Sequence, residues 1–460
     1  MTLAASPIAQ FRTSFRGEVV SPTDDGYNDA RRVWCATVDR RPALIVRPVD
    51  AADVATAVRF AQGQDLVLAL RGGGHSVDGF STCDDGMVLD LSRMRGVTVD
   101  PGARTARANG GAQLGELDRA AQEHGLVCPT GTVGHTGVGG LTLGGGVGRL
   151  QRPFGLTLDN LTAVELVTAD GRLVRASGHE EPDLFWGIRG AGANFGVVTA
   201  FEFGLRPFGP NIVRGLRIYR PSDALAVWDA FRAFLPTAPR ELSFSFVIGR
   251  AWPDAEYPPE IAGGPVAVVS FSHTGTEAEA LAAVAPLDRA AKPVVETAGA
   301  QPYLQVQGQY DEAYAWGVRF ACGGGFANDV RAATISAVLD HVARGVDDAG
   351  VSFTAQGGAI ADLPEDAMAY TGRTARLRIL AEEMWLDASR DAEARQWCLA
   401  ARDIVASDTV PGHYVNEVPD DVRGPDAIYG PAKAERLRAL KRAWDPDNAF
   451  RINHNIVPLG

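Results

Sequence analysis

Residues 66–94 read LVLALRGGGHSVDGFSTCDDGMVLDLSRM, and this stretch decides the fold class. The apolar run at 66–70 predicts a buried strand that enters three successive glycines without a break. A second apolar run at 87–91 predicts another strand. With no Cβ, Gly72, Gly73 and Gly74 can turn several backbone N–H groups toward one point. Such a nest holds an anion without side-chain charge, which suits a pyrophosphate. An isolated Gly-Gly-Gly is also explained by a plain tight turn.

A second run weighs against the plain turn. Residues 130–148 read TGTVGHTGVGGLTLGGGVG, with nine glycines in the eighteen positions from Gly131 to Gly148. A turn needs one or two. Bare backbone over this length predicts a flat, bulky ligand packed against the main chain. Two such clusters in one half of the chain favour a dinucleotide cofactor. His75 and His135 beside them each have an ordinary reading as structural residues or phosphate donors. GxGxxG, Walker A and HExxH are absent. Gly74-His75-Ser76-Val77-Asp78 lacks the last glycine of GxSxG. Rossmann, P-loop, zinc-protease and α/β-hydrolase chemistry are therefore disfavoured.

Around these clusters the pattern is α+β. Strands are predicted at 43–48, 104–108, 161–168, 172–176 and 197–205, with a hairpin turn at Ala169-Asp170-Gly171. Asp50 is placed to cap a helix that carries Val54, Val58 and Ala61 on one face. Helices are predicted at 113–124, 182–188 and 222–235, and another opens at Pro431 and ends before Asp445-Pro446. Composition shifts at 206–210 and again near 411. Glycine makes up 52 of the 460 residues, concentrated in the first half.

The balance of 44 basic against 56 acidic residues gives −12, which argues against a nucleic-acid partner. Five scattered cysteines with no CxxC imply neither a zinc site nor a disulfide framework, so no metal is expected. No apolar run suits a signal peptide or a membrane span. The expectation is a cytoplasmic protein with a small-molecule partner and no membrane association. No coiled coil or sticky strand sets an oligomeric state.

The run VLALRGGGHSVDGFSTCDDGMVLDLSRM resembles the flavin-attachment segment of berberine bridge enzyme-like oxidases, in the vanillyl-alcohol-oxidase superfamily. The likeness continues through TGTVGHTGVGGLTLGGGVGRLQRPFGLTLDNL and PDLFWGIRGAGANFGVVTAFEF. It returns at Tyr414-Val415-Asn416 and in YGPAKAERLRALKRAWDPDNAFRINHNIVP. Within the family the chain looks most similar to bacterial tailoring oxidases of secondary metabolism. The resemblance implies a two-part FAD-binding domain, 1–208 and 411–460. It also implies an inserted substrate domain, 209–410, whose large antiparallel sheet roofs the flavin.

The resemblance further implies a histidyl bond from His75 to the flavin 8α-methyl, a substituent that raises the flavin potential. It places the cofactor among Arg71, Gly72, Gly73, Gly74, His75 and Ser76, then Thr130, Gly131, Val133, Gly134, His135, Thr136, Gly139, Gly140 and Gly145. Val198, Tyr414, Asn416, Asn453 and Asn455 complete that set. Many relatives carry a second link through a cysteine. Counted back from Gly144-Gly145-Gly146 that position is Val133, and Cys128 is out of register, so a single link is expected. Thr136 takes the place of the residue that governs oxygen access, and its small side chain suits an oxidase.

In relatives a base sits on the strand matching Ser352-Phe353-Thr354-Ala355-Gln356. Here Ser352, Thr354 and Gln356 alternate onto one face, and all are neutral. A lysine-serine pair of relatives is replaced by Cys322-Gly323-Gly324. The site is therefore expected to be polar, uncharged and roomy. A substrate proton would go to Tyr303, Tyr310, Tyr414, His413, Glu383 or water, and a tyrosine would need activation by a neighbour. The leading expectation is an FAD-dependent oxidase of an alcohol, amine or polyketide-like metabolite, passing electrons to O2. The alternatives are a dehydrogenase with another acceptor, a non-redox cyclase or isomerase, and a flavin-binding protein without catalysis.

Overall fold

The computed structural model describes residues 5–251, 257–345, 349–418 and 422–459. Its first strands form a four-stranded sheet in the order Glu18–Val20, Leu44–Arg47, Met87–Asp90, Leu68–Arg71. The last three are parallel and the first is antiparallel. The helix Ala51–Gly63 makes one crossover, and Asp50 caps it by accepting from the N–H groups of Ala52 and Asp53. A five-stranded antiparallel sheet follows, in the order Val97–Asp100, Thr105–Asn109, Val197–Gly204, Leu161–Val167, Leu173–Ser177. The expected hairpin turn closes its last pair, with Gly171 at φ +78°.

The glycine-rich stretch is not all bare backbone, as the sequence suggested. A seven-residue helix, Val138–Gly144, forms inside it. Val138 and Leu143 are buried apolar anchors in the first-half core, and Gly139 lets Phe201 approach closely. Burial of these two apolar side chains outweighs the glycine cost of about 1 kcal/mol per residue.

The eight-stranded sheet is built wholly from strands between Asn211 and Val410. One face is covered by the helices Ala224–Phe234, Ala332–Ala343 and Asp391–Val405. Trp228, Phe231, Phe246 and Phe353 pack together there. Each large apolar side chain buried here contributes roughly 1.5–3 kcal/mol. That leaves the other face free to form the lid of a site. No helix among the described residues is long and apolar enough to cross a membrane.

The C-terminal segment returns to the first half. Leu437 and Leu440 of the helix Pro431–Trp444 join the core that holds Val138, Phe195 and Phe201. Its last turn carries a wholly buried ion pair, Lys441–Asp445. The Lys441 ammonium also donates to the carbonyls of Asn194 and Phe450, and Asp445 accepts from the N–H groups of Ala449 and Phe450. Breaking a buried pair leaves an uncompensated charge, at a cost of about 3–5 kcal/mol. Asp445→Asn is therefore expected to lower the free energy of unfolding, read from chemical denaturation, by an amount in that range, with a matching fall in the midpoint. An unchanged midpoint would show that the pair does not hold the tail.

Candidate active site

The two glycine clusters cross each other. A Cβ on Gly73 would fall deep inside the contact radius of the Gly137 backbone, and a Cβ on Gly137 would do the same to Gly73. Only hydrogen fits at either position. The crossing opens into a cavity of about 410 Å³. A Cβ at Gly140 or at Gly192, both on its wall, meets no protein atom within 4 Å.

His75 sits at one end of this cavity. Its Nε2 lies 2.8 Å from His135 Nδ1, and its Nδ1 lies 3.4 Å from Thr136 Oγ1. His135 Nε2 reaches the backbone carbonyl of Asp311 at 3.3 Å, while the Asp311 carboxylate accepts from Gly134 N at 2.6 Å. Trp34 stacks on the His75 ring at 4.9 Å, 16° from parallel, and Trp316 meets its edge. Burial, with the neighbouring His135 as a second cause, pulls the His75 pKa down to about 3. The imidazole is therefore neutral at physiological pH.

The C-terminal segment supplies another wall. The Tyr414 hydroxyl accepts from Gly146 N at 3.1 Å and from Asn416 Nδ2 at 3.0 Å. Gly144 and Gly145 leave room for Asn416 and for the rings of Tyr414 and Tyr370. Asn453 anchors through Nδ2 to the carbonyls of Ala193 and Phe450. The side-chain oxygens of Asn453 and Asn455 are buried without a protein partner.

The lid is the free face of the eight-stranded sheet. Cys322 lines the cavity, and residues directly opposed across strands share a face. Cys322 is opposite Glu382, Ser352 is opposite Leu380, and Thr354 is opposite Arg378. Glu382, Ser352, Thr354 and Arg378 therefore share the cavity side. Arg378 pairs with Glu417, itself on the cavity wall. Glu382 is partly accessible yet strongly desolvated. Burial, then the Glu417 charge, push its pKa up to about 7, against the pull of Arg378.

The comparisons with known proteins agree with this geometry. The family profile described as FAD binding domain matches residues 42–177, and the one described as berberine and berberine like matches 413–457. The chain is 32% identical to (R)-6-hydroxynicotine oxidase of Paenarthrobacter nicotinovorans, over 97% of this chain and 98% of that protein. The crystal structure of 6-hydroxy-D-nicotine oxidase from Arthrobacter nicotinovorans superposes with a TM-score of 0.87 at 28% identity, covering both chains fully. Glucooligosaccharide oxidase of Acremonium strictum, with a 6-S-cysteinyl, 8α-N1-histidyl FAD, shares the fold. Its TM-score is 0.86 at 24% identity, over 99% of this chain and 100% of that one.

The chain belongs to the berberine-like FAD-linked oxidoreductases. It is an FAD-dependent oxidoreductase with the α+β fold of the vanillyl-alcohol-oxidase superfamily. The glycine-lined cavity, whose bare walls leave the space of absent side chains to a ligand, fits the FAD of these oxidoreductases. So does the orphaned amide oxygen of Asn453 on its wall, whereas Asn455, also expected at the cofactor, does not line the cavity.

Most residues expected at the cofactor of a berberine-like oxidoreductase meet at the cavity. Gly72, Gly73, Gly74, His75 and Ser76 line one side, and Gly131, Val133, Thr136, Gly139 and Gly140 a second. Val198, Tyr414, Asn416 and Asn453 close it. Others stand behind the wall. Arg71 is buried and donates to the carbonyls of Ser81 and Ala30, holding the loop after the strand. Thr130 is bonded to the buried Asp118. Gly134 and His135 contact Asp311, and Gly145 makes room for Tyr414 and Tyr370.

Four expectations about the pocket are corrected. Tyr303 lies not at the cavity but in a closed cluster with Val127, Leu150, Ile212 and Val306, and burial raises its pKa. Tyr310 is a neighbour of Arg149 and Arg214, outside the cavity wall. Gln356 falls one residue beyond the strand Ala349–Ala355 and is buried, so it leaves the alternation that Ser352 and Thr354 keep. The lid is not uncharged, because Glu382, Arg378 and Glu417 stand on it.

Of the suggested proton acceptors, Glu383 points the other way, fully buried against Arg390. His413 donates from Nδ1 to the Gly324 carbonyl at 3.1 Å. Cys128 is completely buried in the first-half core. Sequence reasoning missed Trp34, Asp311 and Glu382.

Gly73→Ala would drive the two crossing segments apart. It is expected to yield protein that retains little FAD on gel filtration and melts well below the wild type. Gly140→Ala should leave the flavin-free protein melting at or slightly above the wild type and only weaken FAD retention. Equal FAD retention by all three proteins would refute the placement of the cofactor.

Proposed function

We propose that this protein is an oxidase of a small organic alcohol or amine. In this reading its FAD is bonded once, through His75, and Glu382 takes the proton from the substrate. The observation that carries the proposal is Glu382, a carboxyl with a pKa near 7 on the cavity face of the sheet, directly opposite Cys322. A general base poised near the working pH is the most effective kind. FAD held against His75, Thr136, Tyr414, Asn416 and Asn453 would supply a two-electron acceptor for the substrate hydride, with molecular oxygen as the final acceptor and hydrogen peroxide as its product.

The chain's own residues fill the remaining roles. Burial, with Glu417 adding to it and Arg378 opposing it, brings Glu382 to ionise near neutrality. Ser352 and Thr354 offer hydroxyls on the same face to orient a polar substrate. Thr136, beside His75, leaves space for oxygen at the cavity. A single link to the cofactor is supported by the thiols: Cys128 is sealed in the core, and burial pushes the Cys128 and Cys322 thiols up, which disfavours a thiolate at either. Five unpaired cysteines suit a reducing, cytoplasmic setting. The proposal carries with it the division into 1–208 and 411–460 around the cofactor and 209–410 as the substrate part.

Three measurements test this reading. Flavin should remain with acid-precipitated wild-type protein and be lost from His75→Ala. With a panel of alcohols and amines under anaerobic conditions, Glu382→Gln should slow flavin bleaching about 10²–10⁴-fold. Because the base works ionised, the wild-type rate should climb as pH rises through about 7, and the variant should be flat across that window. Product formation without bleaching would replace the oxidase reading with the non-redox one.

A further inference from the structure

The hydrogen bonds around His75 have a direction. The backbone carbonyl of Asp311 can only accept, so His135 Nε2, 3.3 Å away, carries the hydrogen. In the tautomer with that hydrogen on Nε2, Nδ1 of His135 is bare. That nitrogen is 2.8 Å from His75 Nε2, which must be the donor. His75 is therefore held as the Nε2–H tautomer, with the lone pair on Nδ1. Nδ1 is the nitrogen beside Thr136 Oγ1, at the cavity wall.

We propose that His135 is the residue that prepares His75 for its bond to the flavin. It fixes the hydrogen on Nε2, leaves Nδ1 as the nucleophile, and accepts the Nε2 proton as the bond forms. The inference rests on the covalent link proposed above.

The geometry suits this task in three ways. Burial keeps His75 neutral, so its lone pair is available. Trp34 stacks on the ring and Trp316 borders its edge, so the plane is set before any ligand arrives. Asp311 grips the 133–136 turn twice, by its carbonyl at His135 and by its carboxylate at Gly134 N. A Cβ on Gly134 would press against that carboxylate, so the grip is tight. His135 is thus a base whose orientation is imposed from the segment after 209.

The step balances. The bond formed joins His75 Nδ1 to the flavin 8α carbon. The bonds broken are one 8α C–H and the Nε2–H of His75. Two electrons pass through the ring system to molecular oxygen, which takes up two protons and leaves as hydrogen peroxide. A neutral imidazole that alkylates at Nδ1 becomes cationic unless Nε2 gives up its proton. His135 Nδ1 is the acceptor already in contact with it.

The test reads covalent flavin, not turnover. Full-length apoprotein is mixed with FAD in air, and the mass increase of the polypeptide is followed with time. Wild type should go to completion. His135→Ala should bind FAD with similar affinity but attach it about 100-fold more slowly, and added imidazole should restore part of the rate. His135→Gln covers the case in which His135→Ala fails to fold. Its amide oxygen accepts the hydrogen bond but is no base, so attachment should again be slow. The wild-type flavopeptide should be joined at Nδ1.

Attachment at the wild-type rate in the folded variants, or a bond at Nε2, would overturn the role of His135 and leave the covalent link intact. Wild type without covalent flavin would overturn both.

Discussion

The site depends on one backbone contact, the passage of Gly73 over Gly137 at a distance that excludes any side chain. The two segments are 64 residues apart and belong to different local structures. One leaves the parallel strand Leu68–Arg71, and the other enters the helix Val138–Gly144. Their crossing brings His75, His135 and Thr136 into hydrogen-bonding range. It also explains why these clusters are glycine and not merely turn-forming: a turn residue such as Asn or Asp would supply the bend but not the clearance. Arg71 secures one side by bonding to Ser81 and Ala30, and Asp311 secures the other.

Above this floor the sheet contributes charge, which a reading of single residues does not reveal. Glu382 and Glu383 are adjacent and chemically identical, and a strand sends them to opposite faces. One lies on the cavity side with a pKa near neutrality; the other is sealed against Arg390 beneath the helices. The pairing register with Cys322 decides which is which. Because the period of a strand is two, a slip of one residue would exchange their roles. The lid's chemistry is therefore set by the aromatic core on the far side of the sheet, around Trp228, which fixes the buried face.

Much of the fold was legible in the sequence. The Asp50 cap, the strand-to-glycine junction at 70–72, the hairpin at 169–171 and the helix opened by Pro431 are local signals, and each appears as expected. The helix Val138–Gly144 was hidden because its glycine content masks a short apolar face that only tertiary burial makes sufficient. Tyr303 was misplaced because a tyrosine packed in a closed apolar cluster and one that lines a pocket read alike. Trp34 and Asp311 carry no motif. They matter because chain separations of 41 residues from Trp34 to His75 and 176 from His135 to Asp311 are closed in space.

These separations bear on the order in which the site is assembled. The cavity needs the loop at 72–76, the turn at 133–136, the carbonyl of Asp311 and the tail at 450–456. The tail is held by a buried ammonium that bridges Asn194 and Phe450. The Lys441–Asp445 pair can be desolvated only once the first-half core is packed, because its charges are tolerated in the interior solely through these partners. The His75 imidazole therefore reaches its stacked, hydrogen-bonded arrangement only after distant parts of the chain have docked. A flavin entering at that point meets an imidazole already stacked, neutral and hydrogen-bonded, so the ordering cost falls on folding and not on the chemical step. By mass action the same ligand then stabilises the docked state over any in which the tail is loose. Cofactor binding and completion of the fold are thereby coupled, with the Gly73–Gly137 crossing as the place where they meet.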